Sequence, residues 1–229
     1  MSHPFPAEMV ARARGIADGT VAAVEPQDAA TVVLVRDGMS GLDVWLLRRV
    51  RTMAFAAGAY VFPGGKVDAA DDGGDGLPAA WADAFCSGDT ALLRRIVGAA
   101  IRETQEECGV VVTAGDLRPF AHWITPVIEP RRYDTRFLLA ALPDGQEPHV
   151  NDGESDEGRW FSLPEALDQP MLPPTRAVIT ALQEHADVAS ALAASPRIVC
   201  ITPALREVEG TWQLVLETDE DPPPPGGRT

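Results

Sequence analysis

The stretch from residue 87 to residue 109 constrains the fold more than any other. Ser87 or Asp89 can cap a helix start, and TALLRRIVGAAIRETQEEC (90–108) repeats apolar residues at helical spacing through Ile96, Ala100, Ile101 and Cys108. Gly109 then stands where a left-handed residue ends a helix. The stretch predicts one long helix with a core-facing stripe. β-rich runs surround it. AATVVLVRDG (29–38) and LDVWLLRRV (42–50) predict a hairpin, and AYVFPGG (59–65) a short strand stopped by Pro63. After the helix, VVV (110–112), LRPFAHWIT (117–125), DTRFLLAAL (134–142) and RWFSL (159–163) read as strands. PEAL starts a helix, and a second long helix is expected over Thr175 to Ala194. A short helix near residues 6–16 and a C-terminal hairpin (RIVCITPAL, TWQLVLE) complete the pattern. This order, three strands, helix, strands and helix, predicts an α+β-type α/β fold with a mixed sheet between helices.

Composition narrows the class. Of 229 residues, 45% are apolar and 23% charged, which is a globular balance and excludes fibrous or wholly disordered classes. No run of 18 apolar residues predicts a membrane span, and the N-terminus lacks an apolar signal core, so a cytoplasmic location is expected. Three cysteines without CxxC spacing indicate neither a disulfide framework nor a zinc cluster. The net charge of −15 repels nucleic-acid backbones, so neither a nucleic acid nor a membrane is an expected partner. A small anionic substrate remains compatible, because a bound divalent cation inverts the local field.

One segment concentrates chemistry. In Arg102-Glu103-Thr104-Gln105-Glu106-Glu107-Cys108-Gly109, helical geometry places Glu106 and Glu107 about 60° and about 40° either side of Glu103. Three carboxylates on one patch repel one another unless a positive charge sits among them, and hard cations such as Mg²⁺ take oxygen ligands of this kind. The competing reading is a solvated acidic stripe with Arg102 as its salt-bridge partner.

Together with Phe62-Pro63-Gly64-Gly65-Lys66-Val67-Asp68, this segment resembles the Nudix box, G-x5-E-x7-R-E-U-x-E-E-x-G-U with U aliphatic. Gly65 begins the first half, and Arg102 to Val110 form the second. The likeness extends over residues 29–190 and has three departures. Asp71 stands at the first glutamate position, Thr104 replaces an aliphatic residue, and 30 residues lie between Asp71 and Arg102 where the family has seven, an insertion of 23. Asp68 and Asp71 are the candidates to replace the missing glutamate.

The resemblance implies a Nudix-type α/β/α sandwich over residues 25–194, with the insertion at about 72–94. A helical extension (1–24) precedes it, and a hairpin (195–217) and a disordered tail (218–229) follow. It implies Mg²⁺, with Mn²⁺ as a substitute, held by Glu103, Glu106 and Glu107, one of which can instead orient the attacking water. Arg102 buttresses the loop–helix junction, and the Gly65 carbonyl completes the metal shell. A further carboxylate from a separate loop is expected, Glu157 first and Glu154 second. The implied activity is hydrolysis of a diphosphate bond in a nucleoside diphosphate derivative. LLRRVRTMAFAAGAYVFPGGKVD, the run from Trp123 to Phe137 and LPPTRAVITAL also resemble the coenzyme A diphosphatase branch, which carries an insertion in the box. Coenzyme A or an acyl-CoA is therefore the first substrate expected. Arg49, Arg131 and Arg132, with Glu154, are assigned to substrate binding because guanidinium forks match phosphate oxygens. ADP-ribose, NADH or a nucleoside triphosphate is the alternative substrate, and a catalytically silent nucleotide-binding module the alternative class. Relatives in the family are often homodimers.

Overall fold

The computed structural model describes residues 5–50, 57–151, 153–208 and 211–220. The chain divides into two compact units. The larger is Ala29–Ala121 with Arg136–Ile198, and the smaller is Met1–Asp28, His122–Thr135 and Val199–Thr229.

In the larger unit, β1 (Gln27–Gly38) and β2 (Gly41–Arg49) form the expected hairpin, closed by Gly38↔Gly41 around a two-residue turn. Gly41 has φ 125, a conformation that favours glycine. The run at 59–65 makes two strands instead of one. Pro63 interrupts it, so β3 (Tyr60–Val61) pairs with β2 while β4 (Gly64–Lys66) crosses to pair with β1. β5 (Arg118–Ile124) and β6 (Tyr133–Ala141) appear where expected. β7 (Ser155–Ser162) begins earlier than RWFSL suggests, so the acidic segment 147–157 ends inside a strand on β2.

Both faces of β1 are buried, through Ala30, Val32 and Leu34 on one side and Val33 and Val35 on the other. A half-exposed sheet would alternate, so helices must cover both faces. On the first face lie α2 (Ala79–Cys86) and α3 (Thr90–Cys108), whose Phe85, Leu93, Ile96, Val97 and Ala100 share one apolar cluster with β1, β2 and β6. α4 (Leu163–Leu167) packs on β2 and β7, and α5 (Pro173–Leu182) packs on α4. The sandwich expected from the element order is present.

Helix α3 has the expected bounds. The Asp89 side chain accepts from the Ala91 and Leu92 amides at 2.9 and 3.0 Å, and Gly109 ends the helix at φ 70. Such a cap stabilises by about 1 kcal/mol.

Two expectations need correction. VVV (110–112) is not a strand. The Gln146 side chain bonds both the Val111 amide (2.8 Å) and its carbonyl (2.9 Å), doing what a neighbouring strand would do, while Val110 and Val112 are buried. The second long helix is two helices, α5 and α6 (Val188–Ala193). Asp187 is extended and its side chain caps Ser190 N at 2.7 Å, which competes with helix continuation. The insertion contains α2, whose AAWADAFC has no capping signal.

The insertion also supplies the first turns of α3. Its entry lies on that helix, with Gly73 N donating to Arg94 O at 2.8 Å and Arg94 bridging Asp72 and Asp75 at 2.7 and 2.6 Å. Gly98 permits the approach, because a Cβ there would lie 2.3 Å from the Asp72 nitrogen.

In the smaller unit, α1 (Ala7–Ala17) buries Ala13 against Ile128 and Leu205. β8 (Cys200–Val208) runs parallel to the end of β5 and antiparallel to β9 (Thr211–Thr218), which makes the sheet mixed and the C-terminal hairpin real. Of the expected disordered tail 218–229, Thr218 belongs to β9, Asp219 and Glu220 form a turn, and 221–229 lies outside the described residues.

Gly98→Ala forces backbone at Asp72 to move, so it should destabilise the protein by roughly 1–3 kcal/mol. Urea unfolding, with Gly76→Ala as a control where a Cβ meets open space, reads the difference; Gly76 has φ 83, so its own cost is conformational.

Candidate active site

The last turns of α3 carry Glu103, Glu106 and Glu107, where a helix C-terminus disfavours negative charge, and no basic residue occupies that turn. Two features of the larger unit offset this. The first is Arg102. Its guanidinium makes a two-pronged bond to Asp71 (2.8 and 3.0 Å), donates to the Lys66 carbonyl (3.0 Å), and reaches Glu103 (2.6 Å) and Glu106 (3.2 Å). Asp68 lies farther off, at 3.9 Å. Of the two candidates to replace the missing glutamate, Asp71 is thus the one that Arg102 grips. The second feature is the Gly64 amide, which donates to Glu107 at 2.8 Å. The motif did not single out this contact; the paired glycines were the signal for it.

These bonds dock β4 on α3. Gly65 lies so close that a Cβ there would fall 2.3 Å from Glu103 Oε1. Gly64 has φ 157, and a Cβ there would strike the Ala30 carbonyl. Thr104, the departure from an aliphatic residue, is fully buried and satisfies its hydroxyl on the Ala100 carbonyl at 2.7 Å.

Charge states follow. Burial drives the Glu103 carboxyl above its ordinary range, opposed by Arg102. Burial also pushes Asp71 upward, but bonds from Arg102 and the Asp68 amide outweigh it and hold the carboxyl low. The Arg102 guanidinium is raised further by the Asp71 bond and stays charged. Burial pushes the Cys108 thiol up to about 12, so no thiolate is offered there.

The second acidic segment meets the same helix end. The His149 and Asn151 amides donate to the Cys108 and Glu107 carbonyls, both at 3.0 Å. Glu157, on β7, is engaged by Arg48 (2.7 Å), Arg159 (3.6 Å) and the Tyr60 phenol, whose pKa is raised by burial and by that carboxylate. Arg48 and Tyr60 are partners that the motif did not indicate. Glu154 pairs with Arg49 at 3.5 Å. The Arg49 Nε is buried and has no acceptor among the described residues.

Arg131 is exposed, whereas Arg132 is buried and donates to the Thr125 (3.0 Å) and Val24 (2.7 Å) carbonyls, a task within the smaller unit's backbone. Both arginines belong to that smaller unit, whereas the carboxylates belong to the larger. Among the described residues, no three His, Cys, Asp or Glu side chains converge as a metal cage. Glu103 and Glu106 turn to Arg102, and Glu107 turns to Gly64. The donors themselves, carboxylate oxygens crowded on one helix face beside a single guanidinium, fit a hard divalent ion. A groove of about 580 Å³ lies elsewhere, lined by Leu77, Pro78, Trp81, Arg118 and Leu192 and by none of the box glutamates.

Residues 83–182 match the model of the NUDIX domain. Among solved structures, a NUDIX hydrolase from Alicyclobacillus acidocaldarius is 25% identical with a TM-score of 0.64, over 77% of this chain and 99% of that one. The mutator MutT protein of Bacillus halodurans (18% identity, TM-score 0.50, 86% and 99% covered) shares the fold. So does the NUDIX domain of Shewanella oneidensis NrtR, solved with ADP ribose (15%, 0.50, 70% and 88%). Comparison with curated proteins returned no relative. Residues 83–182 are thus similar to a Nudix domain, and the fold is the one found in these Nudix proteins.

Because the Asp71 carboxyl is held low in the folded state, its bond to Arg102 stabilises at neutral pH and is lost as pH falls through the folded-state value. Asp71→Asn should lower stability by about 2 kcal/mol at neutral pH. The gap to wild type should narrow toward about pH 3, where the unfolded carboxyl is protonated. Urea midpoints across pH check both signs.

Proposed function

We propose that this domain hydrolyses a diphosphate bond in a nucleoside diphosphate derivative, with Mg²⁺ or Mn²⁺ held by Glu103, Glu106 and Glu107 and by the Gly65 carbonyl. The carrying observation is the clamp of Arg102 on Asp71 and Lys66, which docks the Gly64–Lys66 strand against Glu103 and Glu107 while the same guanidinium reaches Glu106. When bound, such ions neutralise the diphosphate and acidify a bound water.

The chain's own residues supply the rest. Arg102 is already committed to Asp71, so its task is to position Glu103 and Glu106, not to bind phosphate. Glu103, whose burial favours the protonated form, is suited to exchange a proton with the attacking water once Arg102 and a cation restore its charge. Arg49 offers a buried Nε without an acceptor among the described residues, which suits a phosphate oxygen, and Glu154 holds the guanidinium in place. Glu157, held between Arg48 and Tyr60, is the outlying carboxylate that can join the cation or orient water. No phosphate role is proposed for Arg132, whose guanidinium serves backbone carbonyls; exposed Arg131 stays a substrate contact in the proposal.

Coenzyme A or an acyl-CoA is the first substrate proposed, on the likeness of the arginine-rich segment from Leu46 and of LPPTRAVITAL to that branch. Residues 51–56 of that segment lie outside the described residues. The NrtR neighbour was solved with ADP ribose, which makes ADP-ribose the second compound to test.

Mass spectrometry of products decides. The protein is incubated with Mg²⁺ and a panel of coenzyme A, acetyl-CoA, ADP-ribose, NADH and 8-oxo-dGTP. Adenosine 3′,5′-bisphosphate plus a phosphopantetheine is the expected product pair, and Glu106→Gln should lower its rate by about 100-fold or more with circular dichroism unchanged. AMP from ADP-ribose or NADH keeps the reaction and replaces the substrate. Absence of any metal-dependent product overturns the reading.

A further inference from the structure

The groove of about 580 Å³ lies wholly within the larger unit, and the insertion builds part of its wall. Leu77, Pro78 and Trp81 come from the added chain, Arg118 is the first residue of β5, and Leu192 stands on α6. Clefts of this volume hold small organic ligands. Leu77 and Trp81 are half-buried against the main apolar cluster, which fixes them in place. Among the described residues no other ring or cation stacks on Trp81, so its indole face is open to the groove.

Arg118 is the one cation among the residues that line this groove. Its Nη1 donates to the Gly115 carbonyl at 2.8 Å and to the Leu117 carbonyl at 2.6 Å, which holds the guanidinium in one plane. Its Nε and Nη2 take no partner among the described residues. Those two nitrogens form the edge that grips two oxygens of one anion side by side. The one acid in the lining, Asp75, is already bonded to Arg94 at 2.6 Å.

We propose that this groove binds a monoanionic aromatic carboxylate, its ring against Trp81 and its two oxygens on Nε and Nη2 of Arg118. Charge and wall chemistry select this class over a nucleotide. A phosphate dianion exceeds what a single guanidinium balances in a chain of net charge −15. A nucleotide also brings ribose hydroxyls and base edges against Leu77, Pro78 and Leu192, whose side chains offer no hydrogen bonds, so those groups lose water without compensation. A carboxylate on a hydrocarbon ring system carries one polar group, and the fork of Arg118 meets it.

An aliphatic acid meets the same walls but gains no ring contact from the indole, so the aromatic body is preferred. The groove is separate from the box glutamates, none of which lines it, and it is independent of the reaction proposed above. It gives the insertion a task of its own, since Leu77, Pro78 and Trp81 are present only because the box is interrupted.

The test titrates the full chain, labelled with ¹⁵N, with naphthalene-2-carboxylate and follows the indole N–H signals of its five tryptophans, that of Trp81 identified by its loss in Trp81→Phe. The Trp81 signal should move saturably, with half-saturation at about 1 mM or below. Neutral naphthalene-2-carboxamide should bind the wild-type protein about tenfold or more weakly, a comparison that needs no variant. Arg118→Gln should weaken the carboxylate by a similar factor, with the remaining signals in place as the check on folding. Glu106→Gln should leave the titration unchanged. No saturable movement of the Trp81 signal up to about ten times the expected half-saturation overturns the proposal. Equal binding of acid and amide does so too, as does loss of binding in Glu106→Gln, which would place the ligand at the box. AMP or decanoate binding at Trp81 as tightly as the naphthalene acid overturns the ligand class.

Discussion

Everything in the site depends on one guanidinium. Three glutamates near the C-terminal end of α3 face the negative pole of the helix dipole and one another. In isolation that arrangement favours fraying of the helix end. Arg102 reverses the balance by standing on the same helix as the acids, forking onto Asp71 and accepting Glu103 and Glu106 as further partners. The same group ties the Lys66 carbonyl to the helix. A residue that offsets part of the cluster's charge therefore also sets the distance between the glycine strand and the carboxylates. This coupling leaves the carboxylates close together without a permanent cage around them.

The insertion shows how a motif survives being cut. Thirty residues separate Asp71 from Arg102, yet the two side chains meet at 2.8 Å. The added chain leaves the box at Asp71, crosses the middle of α3 where Gly98 has no side chain, forms α2, and returns as the first turns of α3 itself. The last residues of the insertion are thus helix continuous with the box helix, buried through Leu93. Asp71 replaces a glutamate one methylene longer, and burial at 5% side-chain exposure keeps its shorter carboxylate in place.

How much of this was legible in the sequence varies with the range of the interaction concerned. The bounds of α3 follow from Asp89, Gly109 and the apolar period, all contained within the segment. The patch of Glu103, Glu106 and Glu107 follows from helical geometry alone, and the likeness to the box supplied Gly65. The box spacing puts Asp71 at the glutamate position, but Asp68 lies in the same polar loop, and only the packed loop shows which one Arg102 grips. VVV (110–112) reads as a strand by composition, but its backbone is satisfied by Gln146, 35 residues away along the chain. The engagement of Glu157 with Arg48 and Tyr60 likewise depends on strand pairing that no local pattern encodes.

The sequence by itself therefore determined the helices with strong caps, the hairpin turns, the acidic face and the family likeness, because capping, periodicity and turn chemistry act within a few residues. Only the tertiary structure decided which aspartate completes the clamp, which glycine amide holds Glu107, and which arginine is tied to backbone carbonyls. Those outcomes depend on which buried donors and acceptors find one another across long stretches of chain. Leaving any of them unpaired costs more than a local propensity can supply.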